Sequence, residues 1–268
     1  MDIEYLEKKA KEIRRTVVEM IYKAKSGHIG GSLSSVDILV TLYYRILRVD
    51  PKRPDWPDRD RFILSKGHSV EGYYAILADL GFIEPEELDT YCRFNSCLTG
   101  HPTVKVTGVE ANTGSLGHGL SIGVGMALAG KIDKKDYKVY VLMGDGEQAE
   151  GSVWEASMCA SHYKLDNLVG IVDRNKLQIG GSTEYVMSLE DLSAKWKAFG
   201  WKVIEVDGHS IRELIEVFES IPISPDKPTL IVAHTVKGKG VSFIENRAEW
   251  HHKIPNNEEF LEMVKELS

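Results

Sequence analysis

Two stretches decide the fold: KVYVLMGDG over residues 138–146 and LVGIVDRNKL over residues 168–177. Each opens with a short apolar run rich in valine and closes on turn-forming polar residues. Such runs predict strands buried on both faces. RFILS (61–65) precedes them, and WKVIEV (201–206) and TLIVAH (229–234) follow. Helical patterns over 150–163, 188–198 and 210–220 separate the later runs. Strand alternating with helix predicts an α/β fold of three layers, a mostly parallel sheet with helices on both faces.

The flanks fit this core. Leu6, Ala10, Ile13, Val17 and Ile21 are spaced by 4, 3, 4 and 4, one helical stripe over residues 4–25. Further helices are expected over 35–47 and 69–80, with a charged, proline-rich surface loop over 50–60. NNEEFLEMVKEL (256–267) reads as a capped helix with acids in its first turn. Residues 92–118 lack periodicity but carry His101, Asn112 and His118, and long irregular stretches of this kind usually serve function. No repeat or linker divides the chain, so residues 1–268 are read as one domain.

Composition narrows the function. Of 268 residues 43% are hydrophobic and 27% charged, as in ordinary globular proteins, which argues against disorder. The net charge of −7 argues against duplex nucleic acid, which needs a basic footprint. No apolar run reaches the roughly 18 residues of a membrane span. The opening MDIEYLEKKAKEIRR has no apolar core of a secretory signal. Three cysteines, Cys92, Cys97 and Cys159, do not suggest a disulfide framework. The setting is read as reducing and cytoplasmic, the cysteines as buried thiols rather than half a zinc site.

In an open parallel sheet, ligands gather at the carboxyl ends of the strands. Asp145, between Gly144 and Gly146, follows one predicted strand, and Asn175 follows the next. Neighbouring strands lie about 4.8 Å apart, so the two side chains are expected side by side. One carboxylate, one amide oxygen and nearby carbonyls suit Mg²⁺ or Ca²⁺. A lone carboxylate is a weak cage for Mg²⁺, which usually completes its shell with phosphate and water; the expected ligand is therefore a diphosphate.

GDG followed by Asn at 175 − 144 = 31 positions resembles the thiamine-diphosphate motif. The wider text GDGEQAEG…DRNKLQIGG resembles the transketolase version of it. SGHIGGSLSSVD (26–37), LSKGH (64–68), GHP (100–102), NTGSLGHGLSIGVGMALA (112–129) and HTVKGKG…WHHK (234–253) resemble further transketolase blocks, in family order, over nearly the whole chain. The resemblance implies a thiamine diphosphate-binding fold of the diphosphate-binding type. It implies thiamine diphosphate and Mg²⁺ (or Ca²⁺) as cofactors, with Asp145, Asn175 and the carbonyl of Leu177 on the metal. It further implies cofactor contacts from His68, Gly114, Ser115, Leu116, Gly144, Gly146, Glu150 and Glu155. His28, His68, His101 and His251 would line a sugar channel and pass protons. Glu150 and Glu155 would join a proton network at a subunit interface, although acids after a strand also suit a helix N-terminus on their own. Histidine suits proton transfer because its pKa, about 6.5, lies near neutrality.

There are departures. Ile29 stands where the family often has proline, Ser115 and His118 replace proline and glutamine, and His252 replaces the glycine after the channel histidine. Between His251 and His252 the sequence leaves the choice open. His118 opens a glycine-rich helix and is placed near the diphosphate; His162, His209 and His234 read as structural. The glycines at 114, 117, 119, 123 and 125 also allow close helix packing. GHGLSIG misses the dinucleotide spacing by one residue and follows no strand.

The resemblance stops at the N-terminal portion of a transketolase. The family's pyrimidine-binding domain, with the glutamate that activates the cofactor, is expected on a partner chain in an α₂β₂ heterotetramer. Met1 and the capped terminal helix favour a separate subunit over a truncated chain. An apolar patch able to support self-association is expected where the partner would sit. The leading functional expectation is ketol transfer from a ketose phosphate such as xylulose 5-phosphate to an aldose phosphate such as ribose 5-phosphate, in pentose phosphate metabolism. The alternative is another split thiamine-diphosphate enzyme acting on a modified sugar or a 2-oxo acid; the histidine set favours a polyhydroxylated sugar. A non-catalytic regulator is disfavoured because the metal and channel residues are all present.

Overall fold

The computed structural model describes residues 2–268. Helix α1 (Ile3–Ala24) starts where the Asp2 carboxylate accepts the Tyr5 N–H and stops where Lys25 turns left-handed at φ 53°. Its stripe Leu6, Ala10, Ile13, Val17 and Ile21 is buried, as the spacing predicts. The next segment is less regular than expected. Instead of one helix over 35–47 there are two six-residue helices, α2 (Ile29–Ser34) and α3 (Val36–Thr41), then a π-helical turn over Leu42–Ile46. Every residue of α2 and α3 is buried, so this segment has no polar face to give it a period.

Strand β1 (Arg61–Leu64) leads to helix α4 (Val70–Leu80), which ends on Gly81 at φ 83°. Helix α5 (Gly119–Ile132) precedes β2 (Val139–Gly144), and helix α6 (Gly151–His162) precedes β3 (Leu168–Arg174). A small hairpin, β4 (Leu177–Gln178) with β5 (Gly181–Ser182), and the short helix α7 (Thr183–Val186) follow. Then come α8 (Leu192–Ala198), β6 (Lys202–Asp207), α9 (Ile211–Glu219), β7 (Thr229–His234) and α10 (Asn257–Glu266). Helix α10 opens with the expected cap, a reciprocal pair between Asn256 and Glu259.

The five long strands form one parallel sheet in the order β1-β2-β3-β7-β6. Side chains alternate across it. Phe62, Leu64, Tyr140, Leu142, Val169, Ile171, Ile231 and Ala233 join the core under α1, α3, α4 and α9. Ile63, Val139, Val141, Met143, Leu168, Val172, Leu230 and Val232 join the core under α5, α6 and α8. Continuous apolar strands are thus two period-2 sets read together, the signature of a sheet covered on both faces. Gly123 lets α5 lie directly on β2: a Cβ there would stand 2.5 Å from the Val141 methyl.

No helix or strand of the sheet forms between Tyr91 and His118, yet the stretch is fixed to the core. Tyr73 and Tyr74 donate from α4 to the carbonyls of Gly108 (2.8 Å) and His101 (3.0 Å), and Thr113 donates to Leu64 (2.7 Å). The cysteines differ from expectation. Cys92 and Cys97 are exposed and Cys159 is half-buried, all three as free thiols. The first two lie in this loop, at its surface, where no apolar layer covers them. Among the described residues no helix is long and apolar enough to cross a membrane.

Candidate active site

Parallel register brings the two polar strand ends together, since Gly144 pairs with Asp173 across β2 and β3. The Asp145 carboxylate accepts the Lys176 N–H at 2.6 Å, the Gly146 N–H at 2.8 Å and the Arg174 guanidinium at 3.2 Å. Burial, then the neighbouring Asp173 charge, pushes its pKa up. Such a carboxylate gains from a further cation. Asn175 is buried beside it, its amide oxygen accepting the Leu177 N–H at 3.1 Å. The Leu177 carbonyl faces the Lys237 ammonium at 3.3 Å. Asp145 and Asn175, expected together from topology, and Leu177, added by the resemblance, are brought to one end of the sheet.

Beneath them lies a buried ionic network. Asp173, fully buried, accepts from the Lys66 ammonium, the Thr235 hydroxyl and, at 2.6 Å, the Ser34 hydroxyl. Burial alone would raise its pKa, but the Lys66 charge holds it below the usual range. Lys66 also donates to the Gly31 carbonyl at 2.9 Å. Lys237 is 2% exposed, and burial, then the Lys66 charge, lowers its pKa to about 8. Glu147 ties three loops together: its carboxylate accepts from the Ser65 hydroxyl, the Gly117 N–H (2.8 Å) and the Gly144 N–H (2.9 Å).

Sequence reasoning passed over Lys66, Lys237, Asp173 and Glu147. A signal existed for each. Lys66 and Lys237 are charges inside glycine-rich blocks, Asp173 continues an apolar run, and Glu147 follows GDG directly.

The histidines converge above this floor. The His28 ring lies 5.1 Å from His68, 5.5 Å from His251, 4.4 Å from His252 and 6.5 Å from His101 between centroids. His68 and His251 are 5.3 Å apart. Burial first, then neighbouring positive groups, lowers the pKa of His28 to about 4, of His68 to about 2 and of His251 to about 3. All three are neutral at pH 7. His28 and His251 each keep a buried Nδ1 with no hydrogen-bond partner. His251 lines the cavity, whereas His252 and His101 are exposed and stand outside its wall.

The cavity has a volume of about 540 Å³. His28, His68, His251, Lys66, Lys237, Gly114, Leu116, Gly144, Asp145, Gly146, Glu150, Asn175 and Leu177 all line it. Gly114 sits at φ 142°, and a Cβ there would stand 2.9 Å from the His101 ring. Ser115 and Glu155 are exposed and lie outside the cavity wall, as does His118, whose Nδ1 turns to the Leu116 carbonyl at 3.1 Å. His162 packs on Tyr163, and His234 pairs with Glu205 at 2.8 Å.

Comparison with known proteins matches the model of the transketolase, thiamine diphosphate binding domain to residues 6–267. The chain belongs to the transketolase family. Over 268 residues it is 54% identical to a subunit of the apulose-4-phosphate transketolase from Phocaeicola vulgatus, covering 100% of this chain and 95% of that one. It is 43% identical over 263 residues to a subunit of the 6-deoxy-6-sulfo-D-fructose transketolase from Clostridium sp., covering 98% and 96%. Among solved structures, Campylobacter jejuni transketolase superposes with a TM-score of 0.92 at 33% identity, over 100% of this chain and 43% of that chain. The chain thus spans less than half the length of that transketolase.

The site suits the cofactor that the family domain is named for. A diphosphate is an anion, and two lysines line the cavity, Lys66, whose ammonium is paired with Asp173, and Lys237, whose ammonium meets only a carbonyl. Gly114, Gly144 and Gly146 leave backbone open to a ligand, and Asp145 is a buried carboxylate short of positive charge. Among the described residues no three His, Cys, Asp or Glu side chains gather as a metal cluster. The oxygen set here has one carboxylate only, which suits a cation shared with phosphate oxygens.

Proposed function

We propose that this chain is the diphosphate-binding subunit of a split transketolase acting on a modified sugar, and that a partner chain supplies the pyrimidine-binding domain. The observation that carries the reading is the pairing of floor and roof in one cavity. Asp145, Asn175 and Leu177 form the floor, and His28 and His251, each with an unpartnered buried Nδ1, form the roof. The relatives that match along almost their whole lengths are themselves named as subunits, and their named substrates are modified sugars. Ordinary pentose phosphates, the leading expectation from sequence, become the second reading, supported by likeness to full-length transketolases.

In this reading the Asp145 carboxylate, the Asn175 amide oxygen and the Leu177 carbonyl hold Mg²⁺ or Ca²⁺. Lys66 and Lys237 neutralise the diphosphate, with Gly114, Leu116, Gly144 and Gly146 as backbone contacts. Bound thiamine diphosphate supplies a nucleophilic carbon that accepts the two-carbon unit. His28, His68 and His251 bind sugar hydroxyls; being neutral, each can take a proton as well as give a hydrogen bond. His251, the half-buried one of the pair, takes the channel role ahead of His252. His101 stands outside the wall, its ring against Gly114. Glu150 at the cavity rim and Glu155 on the outer face of α6 would meet a second copy.

Apolar rim residues support the partner. Ile179, Val186 and Met187 line the cavity yet remain exposed. An apolar rim around a polar site is expected where another chain completes it. The setting is read as cytoplasmic. The test is ketol transfer by this chain with its partner, thiamine diphosphate and Mg²⁺, over a donor panel that includes apulose 4-phosphate, 6-deoxy-6-sulfofructose and xylulose 5-phosphate. Preference for a modified donor supports the proposal. Preference for xylulose 5-phosphate replaces it with the second reading.

A further inference from the structure

His209 follows β6 in the sequence DGHS, outside the cavity wall. Its Nε2 accepts the backbone N–H of Val236 at 2.8 Å. A ring nitrogen that accepts carries no proton, so the neutral ring must hold its proton on Nδ1. Nδ1 lies 2.6 Å from the Asp37 carboxylate, which can only accept. Asp37 is buried and is held in turn by both terminal nitrogens of Arg14. Burial works against the charge on Asp37, but Arg14 keeps its pKa below the usual range. Helix α1 through Arg14 and helix α3 through Asp37 therefore fix which nitrogen of His209 faces Val236.

Val236 lies in a strap, residues 235–238, that crosses the carboxyl ends of the sheet. Every neighbour of Val236 in this strap is anchored. The Thr235 hydroxyl donates to Asp173, the Lys237 ammonium to the Leu177 carbonyl, and the Gly238 N–H to the Gly30 carbonyl at 3.0 Å. His209 supplies the remaining anchor, one residue before Lys237.

We propose that His209 is a positioning residue for diphosphate binding. Its Nε2, held as an acceptor by the Arg14–Asp37 pair, sets the backbone that aims Lys237 into the cavity. This rests on the reading of that cavity as the diphosphate site. A histidine that served only to fill space would be replaceable by a ring of similar volume without effect on the anion. A positioning acceptor is not replaceable in that way, but glutamine can stand in for it, because its amide can accept from Val236 and donate to Asp37.

The test has two parts, both on the full chain. The first is the nitrogen-15 histidine spectrum. It is expected to show His209 as the neutral Nδ1–H tautomer; an Nε2–H tautomer overturns the proposal whatever the chain binds. The second is calorimetric titration with Mg²⁺ and inorganic diphosphate, which needs neither partner nor turnover. His209→Phe is expected to weaken binding roughly 5- to 10-fold, about the worth of one hydrogen bond, and His209→Gln to stay within about 2-fold of the native chain. Equal binding by the native chain and His209→Phe overturns the positioning role alone. No diphosphate binding by the native chain overturns the reading of the cavity and the proposal with it. Should His209→Phe fail to fold, His209→Gln and the spectrum still decide: weak binding by a folded glutamine variant contradicts the proposal.

Discussion

The ammonium of Lys237 stands 3.3 Å from the carbonyl oxygen of Leu177, the same oxygen proposed to bind the metal. A metal ion and an ammonium do not share one lone-pair direction at close range. If the proposed metal–diphosphate pair binds there, Lys237 would turn from that carbonyl toward the phosphate oxygens. Lys237 is a buried cation without an anion of its own, and its pKa, lowered to about 8, reflects that burial.

Lys237→Met should separate stability from function. The folded pKa lies below the ordinary 10.5, so the unfolded chain holds the proton more tightly. The penalty is full below pH 8 and is relieved as pH rises from about 8 toward 10.5, so the native chain gains stability across that window. Replacing the ammonium with a thioether of similar reach is expected to stabilise the ligand-free chain by about 1–3 kcal/mol at pH 7, with the difference shrinking by pH 10. Affinity for Mg²⁺ and diphosphate is expected to fall at least about 10-fold. Urea unfolding at the two pH values and calorimetry check both.

Acid should unfold the ligand-free chain early. His28 and His251 have folded pKa values of about 4 and about 3, below the ordinary 6.5. Their neutral forms favour the folded state, so stability is lost as pH falls from 6.5 toward those values. Each contributes a slope of up to about 1.4 kcal/mol per pH unit. His28→Gln is expected to flatten the profile between pH 6.5 and 4, measured by urea midpoints. An unchanged slope would mean that His28 is not a neutral buried group.

Glu147 should be intolerant of its own amide. Its two oxygens serve three donors, from Ser65, Gly117 and Gly144. Glu147→Gln sets an N–H₂ group against at least one N–H or O–H, and is expected to lose about 1–3 kcal/mol in chemical denaturation. Because the three donors belong to three loops around the cavity, diphosphate affinity should fall with it.

Two glycines of α5 should respond oppositely to alanine. At Gly119 a Cβ would stand within 3 Å of the Ser65 Oγ, Cβ and Cα, so the helix or the end of β1 must move. Gly119→Ala is expected to destabilise by about 1–3 kcal/mol. At Gly125 a Cβ meets nothing within 4 Å. There alanine should stabilise the isolated chain by about 0.5–1 kcal/mol through helix propensity alone. Thermal unfolding of both variants checks the pair.

Legibility followed pattern length. The five sheet strands were readable because each carries at least three apolar residues between turn formers, and α1 because it holds one stripe over about four turns. Helices α2 and α3 are buried all round, so they present no period, and their break at Ser35 leaves no mark in composition. The hairpin over 177–182 has two residues per strand and could not be read at all. Cys92 and Cys97 ran against the tendency of free thiols to be buried because they lie at the surface of a loop.

The placement of Asp145, Asn175, His28, His68 and His251 around one cavity was legible in the sequence, but that of its lysines was not. Asp145 and Asn175 each follow a recognisable strand, so topology alone brings them together. Lys66 and Lys237 needed the third dimension, since Lys239, two positions on from Lys237, is equally plain in sequence and is not in the cavity wall. His209 read as structural for the same reason: its partners, Asp37 on α3 and Val236 on the strap, lie 172 and 27 positions away along the chain.

The central claim is that this chain holds half of an active site. Ketol transfer should be measured with thiamine diphosphate and Mg²⁺, using this chain alone, its candidate partner alone and the two mixed, with modified and ordinary ketose donors. The account predicts turnover only in the mixture, and loss of that turnover on Asp145→Asn. Full turnover by this chain alone would contradict it.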